Sequence, residues 1–168
     1  LFDALPKAYY DSAFLDRIHI YLPGWEVPKL RNEMFTSGYG FIVDYLAEIL
    51  KELRKEDYSS KLKEIIELDS SLTIRDRDGI TKTFSGLMKI IYPHGKCSDD
   101  EAIELLNYAM EGRKRVKDQL IKMDDTFEDV NFSYTSKSSG KSHTVETLEM
   151  IDHIGANVEI KTTDENLT

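Results

Sequence analysis

Arg17 is the residue of this sequence best placed to do chemistry. It lies where the pattern changes, after a short helical turn begun by Ser12 and before residues 18–22, in which apolar and polar side chains alternate. Ser12 is a suitable N-cap, and the alternation predicts a strand that ends at the Pro23-Gly24 turn. Apolar neighbours on both sides would hold the guanidinium in one place, where a fixed cation can neutralise phosphate oxygens. The alternative is a structural arginine paired with Asp16 or a nearby glutamate.

Two lysines, Lys82 and Lys89, are the next candidates. We expect a helix from about residue 76 to residue 92, which places Lys82 near its start. The free amides and the dipole of a helix N-terminus favour phosphate, and a lysine adds a point charge. Lys89 lies seven residues later, on nearly the same face. The alternative for both is a solvated lysine on an exposed face.

The basic cluster Arg113-Lys114-Arg115-Val116-Lys117 could form a different kind of site. On a helix these charges spread around most of the circumference, and Glu111 lies four residues before Arg115, the spacing of an ordinary ion pair. We therefore interpret the cluster as a solvated face, with contact to nucleic acid or to a neighbouring subunit as the alternative. The net charge of −9 opposes nucleic-acid binding except at a local basic patch.

Other motifs do not predict a catalytic or metal site. Gly140-Lys141-Ser142 resembles the end of a phosphate-binding loop, but the glycine required five residues earlier is Thr135, so a hairpin loop is the better interpretation. The single Cys97 cannot form an internal disulfide. The four histidines lie too far apart in the sequence to have the spacing of metal ligands: His19, His94, His143 and His153. We predict no metal ligands and no Ser-His-Asp arrangement.

Composition indicates an ordinary soluble globular domain. The chain has 168 residues, of which 40% are hydrophobic and 32% charged. There is no apolar run long enough for a membrane span and no secretory leader, so we expect a cytoplasmic protein. The first residue is Leu1, from which we expect a piece of a longer chain. A strand over residues 18–22 would then lack its sheet, and we expect it either to pack on helices or to pair with another copy.

Hydrophobic periodicity predicts four helices joined by short connections, an arrangement typical of a small antiparallel bundle. Ser98 and Glu101 spell a capping box for the last of these helices. After Lys122 alternation returns and predicts a β-hairpin over about 129–148. The expected helices run from about 42 to 55, from 59 to 68, from 76 to 92 and from 98 to 123; residues 149–160 could add a short strand, and residues 162–168 should be frayed.

The run Phe14-Leu15-Asp16-Arg17-Ile18-His19 resembles the arginine-finger segment of Lon-type and replicative-helicase-type AAA+ ATPases. Two further runs extend this likeness, Tyr21-x-Pro23-Gly24-Trp25-Glu26 and the segment 39–48. Together they are similar to the BrxL type of Lon-related ATPase from BREX phage-defence systems. The resemblance implies a mainly α fold, in which an AAA+ helical lid follows an arginine-finger and strand segment and precedes a β-hairpin. The implied divisions are 1–37 for the end of the AAA+ core, 38–124 for the lid, and 125–168 for the hairpin and tail.

The same resemblance implies roles for the candidate residues. Arg17 would be a finger that reaches the γ-phosphate held by a neighbouring subunit, and Lys82, with Lys89 in reserve, would be the sensor-2 residue that contacts the nucleotide of its own subunit. The implied cofactor is ATP with Mg²⁺ in a full-length ring, and we expect none bound to this fragment, which alone should not hydrolyse ATP. The implied partners are other copies of the chain and a DNA or protein substrate. The alternative is a non-enzymatic helical interaction module with a partner-pairing strand.

Overall fold

The computed structural model describes residues 5–40 and 42–150. It confirms the mainly α prediction, because helices form most of the described chain and one small antiparallel sheet accompanies them. The helices are α1 (Ser12–Leu15), α2 (Val43–Leu53), α3 (Ser59–Ile65), α4 (Ile74–Ile91) and α5 (Asp99–Met123), and the strands are β1 (Ile66–Leu68), β2 (Ser133–Ser136) and β3 (Ser142–Thr144). Three-residue 3-10 turns cover Lys7–Tyr9, Gly24–Glu26 and Asn32–Met34. None of the described helices is both long enough and apolar enough to cross a membrane.

The main core lies between α3, α4 and α5 and is closed by β2. Ile80, Phe84 and Met88 recur at helical spacing on α4 and are fully buried. From α5 they meet Leu106 and Met110, which are also fully buried. The predicted apolar stripe of the third helix is therefore confirmed at these three positions, and α4 and α5 pack together through it.

Capping boxes set where both long helices begin. Ser98 accepts from the amide of Glu101, whose carboxylate in turn accepts from the Ser98 amide, so α5 begins where the sequence predicts. Thr73 and Asp76 form the same reciprocal pair at the start of α4. As a result α4 begins at Ile74, slightly earlier than expected.

Residues 18–22 do not form the predicted strand. The segment lies against the helices without regular secondary structure, and the amide of Tyr21 donates to the carbonyl of Gly112 on α5 at 3.0 Å. Ile18 packs against a small apolar cluster of Leu15, Val116 and Leu120. The contacts do not follow the alternation, since Tyr21 packs against the same cluster and Leu22 is 62% exposed. Of the two expected outcomes for this segment, packing on the helices is the one observed.

The predicted hairpin is confirmed, but the sheet contains a third strand that was not predicted. Residues 66–68 were assigned to the end of the second helix, whereas they form β1 and pair antiparallel with β2 in the register Ile66 to Ser136. Residues 137–141 form the loop between β2 and β3, and Gly140 adopts a φ of 66° there. Gly140-Lys141-Ser142 therefore lies in and after a hairpin loop.

Helix α2 forms as predicted, but its apolar face is not buried. No residue of α2 is buried, and Val43 and Leu50 are 77% and 44% exposed. Periodicity defines which face of a helix is apolar, but it does not supply a partner for that face. The predicted short strand within 149–160 and the frayed end fall mainly on residues 151–168, which lie outside the described part of the chain.

Candidate functional site

Arg17 follows a single helical turn that is firmly anchored. Asp11, and not Ser12 as predicted, caps α1, because its carboxylate accepts from the amide of Ala13 at 2.9 Å. The amide of Arg17 donates to the carbonyl of Phe14 at 3.1 Å, which continues the turn. Leu15 is fully buried on the inner side. The backbone that carries Arg17 is thus fixed by its neighbours on both sides.

The guanidinium of Arg17 lies at the surface. Arg17 is exposed, and its Nη1 donates to the carbonyl of Ala13 within its own turn. Among the described residues no acidic side chain forms an ion pair with it. The structural alternative, in which Arg17 pairs with Asp16, is therefore not the arrangement observed.

Asp16 instead faces the interior, where two other arginines bind it. Its Oδ1 accepts from Nη2 of Arg113 at 2.6 Å, and its Oδ2 accepts from Nη1 of Arg75 at 2.5 Å. Burial alone would raise the pKa of Asp16, but the hydrogen bonds from Arg75 and Arg113 outweigh it and hold that pKa below its usual value. Asp16 is therefore an anion at neutral pH, and it anchors the turn from its buried side.

Arg113 lies at the centre of this arrangement and is fully buried. Its Nε donates to Asp76 Oδ1 at 2.8 Å, and its Nη2 lies between that oxygen and Asp16. Its Nη1 donates to two main-chain carbonyls, those of Asp16 at 2.9 Å and Ile18 at 2.6 Å. Each of the five N–H donors of the guanidinium thus has an acceptor in reach.

Lys82 does not lie at the helix N-terminus. Because α4 begins at Ile74, Lys82 belongs to the third turn, about 12 Å along the axis from the first residue. Its ammonium pairs with Asp78 at 2.7 Å, and Asp78 in turn lies 4.0 Å from Nε2 of His19. This places Lys82 on the side of α4 that the finger segment crosses, but the N-terminal phosphate argument does not apply to it.

Lys89 lies in the last turn of α4, far along the helix from Arg75 in the first turn. Arg75 is the cation that the helix N-terminus presents, and its side chain is half exposed. Sequence reasoning missed Arg75, although Thr73 and Asp76 have the spacing of a capping box and would have placed the helix start.

The prediction of a solvated face for residues 113–117 is wrong. Arg113, Lys114, Arg115 and Lys117 are all buried. Arg115 does pair with Glu111 at 2.8 Å as expected, but it also binds Glu26 and Glu149. The burial of Arg113 and Arg115 could not be predicted, because Asp16, Asp76, Glu26 and Glu149 are distant in sequence and become their partners only in the fold.

The two lysines of this cluster also find internal partners. Lys114 pairs with Asp118 at 2.9 Å and lies 5.8 Å from the ring centre of Phe132. Lys117 lies 3.8 Å from Asp76 and 5.3 Å from the ring centre of Phe127. Their charges are engaged within the fold, so they do not form an exposed basic patch. Within residues 5–40 and 42–150 no group of three or more potential ligands is arranged for a metal ion.

Comparisons with known proteins identify the family. Residues 1–133 match the family model described as Lon-like protease BrxL-like, ATPase domain. The Lon-like protease BrxL of Bacillus cereus (strain H3081.97) is 51% identical over 141 residues, which cover 83% of this chain and 21% of that protein. The Lon-like protease BrxL of Escherichia coli O9:H4 (strain HS) is 48% identical over 130 residues, which cover 77% of this chain and 19% of that protein. The chain therefore spans about a fifth of the length of these curated relatives, and it belongs to the BrxL-like family of Lon-like proteases, within the ATPase domain.

Proposed function

We propose that this chain is the C-terminal part of an AAA+ module and that it supplies the arginine finger, Arg17, to a nucleotide held by a neighbouring subunit. The observation that carries the proposal is an exposed arginine that directly follows two buried residues, Leu15 and Asp16. A cation that is both free to reach outward and fixed at its base is what phosphoryl transfer requires, because catalysis there depends on positioning and charge stabilisation.

In the proposed reaction Arg17 acts when ATP is cleaved. Negative charge spreads over the transferred phosphoryl group in the transition state, and the guanidinium neutralises part of it. Such fingers contribute about 10³–10⁵ in rate, or roughly 4–7 kcal/mol of the barrier. When bound, ATP would supply the reacting phosphates, and Mg²⁺ would supply a positive charge in addition to that of the arginine. This chain supplies the arginine and the turn that carries it.

The lid is proposed to contribute a second cation. Lys82 is the first candidate and Lys89 the second, as the family resemblance implies. Arg75 joins them because it lies in the first turn of α4 and its guanidinium is half exposed. Arg75 also pairs with Asp16, which fixes its guanidinium at the start of α4.

The role of the whole protein is a further part of the proposal. Rings of such subunits would use ATP hydrolysis to move the lid and thereby remodel or thread a DNA or protein partner in the cytoplasm, in phage defence or a related process. The family model supports the ATPase part of this proposal.

The test replaces Arg17 with alanine in the full-length protein. We expect kcat for ATP hydrolysis to fall by about 10³-fold or more while the Kd for ATP stays within about twofold. Arg31→Ala is the matched control, because Arg31 is also an exposed arginine of the N-terminal segment, and its kcat should be unchanged. The same assay with Lys82→Ala, Lys89→Ala and Arg75→Ala identifies which lid cation affects turnover. Loss of ATP binding with normal turnover per bound nucleotide in Arg17→Ala would exclude the finger role.

A second candidate function is a non-enzymatic interaction module. The exposed apolar side chains of Val43 and Leu50 on α2 favour it, since they present an apolar face. The form of this alternative that relied on a partner-pairing strand loses its basis, because residues 18–22 are not a strand. An unchanged kcat in Arg17→Ala would favour this candidate.

A further inference from the structure

The side chain of Arg113 binds main-chain carbonyls on both sides of the candidate finger, Arg17. Nη1 of Arg113 binds the carbonyls of Asp16 and Ile18, which are the residues immediately before and after Arg17. The bond to the Asp16 carbonyl holds the peptide before Arg17, and the bond to the Ile18 carbonyl holds the peptide after Ile18. The peptide between them is held separately, because the amide of Ile18 donates to the carbonyl of Leu15 at 2.9 Å. The side chain of Arg17 can then leave the turn in only a narrow range of directions.

The other half of the Arg113 guanidinium reaches α4. Asp76 is fully buried, binds Nε of Arg113 through Oδ1, and binds the hydroxyl of Thr73 through Oδ2 at 2.6 Å. Arg113 itself belongs to α5. One side chain therefore ties the finger turn to the first turn of α4 and to the middle of α5.

The packing of the finger segment supplies an independent observation. A Cβ on Gly112 would lie 2.4 Å from Cγ1 of Ile20, and a Cβ on Gly79 would lie 3.3 Å from Cδ of Arg113 and 3.4 Å from the backbone of His19. Gly112 lets the segment approach α5 more closely than any larger residue would allow, and Gly79 leaves it in close contact with α4. The segment is thus seated directly against both helices of the lid.

We propose that Arg113 is a positioning residue for Arg17, and that it makes the finger and the α4–α5 pair of the lid one rigid unit. The inference rests on the proposed finger role of Arg17. Its consequence is that any rotation of α4 and α5 moves the finger by the same rotation, so that the nucleotide state of one subunit changes the position of the cation offered to its neighbour.

The first test replaces Arg113 with lysine in the full-length protein. A lysine keeps the charge, but its single ammonium cannot bind both carboxylates and both carbonyls. We expect kcat to fall by about 10²-fold, the scale of a misplacement of about 1 Å, while the Kd for ATP and the assembly state are retained. Arg115→Lys is the matched control, since Arg115 is a buried arginine of the same helix that does not contact the finger turn, and its kcat should be unchanged.

The double variant separates positioning from a general structural effect. If Arg113 acts through Arg17, then adding Arg113→Lys to Arg17→Ala causes no further loss of kcat. Multiplicative losses, or a folded Arg113→Lys variant with full kcat, would overturn the positioning role. If Arg17→Ala alone leaves kcat unchanged, the finger proposal itself fails, which is a distinguishable result.

A second pair of variants leaves the charged groups intact. Gly112→Ala should displace residues 18–22 and reduce kcat as Arg113→Lys does, whereas Gly86→Ala, where a Cβ meets nothing within 4 Å, should have no effect. A folded Gly112→Ala variant with normal kcat contradicts the rigid unit.

Hydrogen exchange on the unmodified protein completes the test, since it does not depend on the folding of any variant. The amide of Tyr21 binds the Gly112 carbonyl and should stay protected without nucleotide, with ADP and with a non-hydrolysable ATP analogue. Full exchange of this amide in any one state would show that the finger separates from α5, and the inference would be wrong.

Discussion

Two buried arginines, separated by one residue on α5, hold two different parts of the N-terminal segment in different ways. Arg113 is fully buried and binds Asp16 and Asp76, whose side chains are 9% and 0% exposed. Arg115 binds Glu26, Glu111 and Glu149, whose side chains are 19% to 33% exposed. Arg113 therefore binds carboxylates that are shielded from water, whereas Arg115 binds carboxylates that are partly exposed to water.

The difference shows what each network can do. A dry network with every donor used has a narrow choice of geometries, because any displacement leaves a buried polar group without a partner. Carboxylates that reach water can exchange a protein partner for solvent at small cost. The Arg113 network is thus suited to fix a position, and the Arg115 network is suited to hold a segment loosely against the helix.

The largest expected difference in the free energy of unfolding is between variants that lack Arg113 and variants that lack Arg115. Arg113→Met should lower the free energy of unfolding by about 3–5 kcal/mol, because it leaves two buried carboxylates short of a cation. Arg115→Met should cost about 1–2 kcal/mol, since its glutamates can turn to water. Urea denaturation of the two variants measures the difference, and equal losses would contradict the distinction between the two networks.

A smaller loss of stability is expected at low pH, where Asp16 becomes protonated. The pKa of Asp16 is held below its ordinary value of 3.8, so its contribution to stability is present above that ordinary value and is lost as the pH falls through the lower, folded value. The unfolding midpoint should therefore change little through Asp16 between pH 7 and about pH 5 and should fall below about pH 4. Asp16→Asn should reduce this acid dependence. If the unfolding midpoint falls equally at low pH in Asp16→Asn and in the unaltered protein, the acid dependence of stability comes from other groups. Asp57 and Asp69 are among these, since their pKa values are also lowered.

The sequence was informative where the signals are local. The Ser98 capping box and the stripe of Ile80, Phe84 and Met88 placed α5 and α4 closely, because each signal is contained within a few turns of one helix. Arg17 was also placed correctly at the surface end of a helical turn.

The sequence was misleading where a residue's environment comes from distant segments. Arg113 was interpreted as solvated because Asp16 and Asp76, distant in sequence, become its partners only in the fold. Lys82 was placed near a helix start because the Thr73 capping box was overlooked. Residues 18–22 were interpreted as a strand because they alternate, but alternation alone does not supply the neighbouring strand that a sheet needs.

The most direct test of the central claim asks whether Arg17 acts on a neighbour. Full-length subunits with Arg17→Ala are mixed with subunits whose phosphate-binding-loop lysine, in the part of the ATPase outside this chain, is replaced by alanine. In a randomly mixed ring about a quarter of the interfaces then join an intact finger to an intact nucleotide site. We predict that the mixture regains ATP hydrolysis that neither parent has. A mixture as inactive as its two parents would show that the arginine does not work across the interface, and the account would be contradicted.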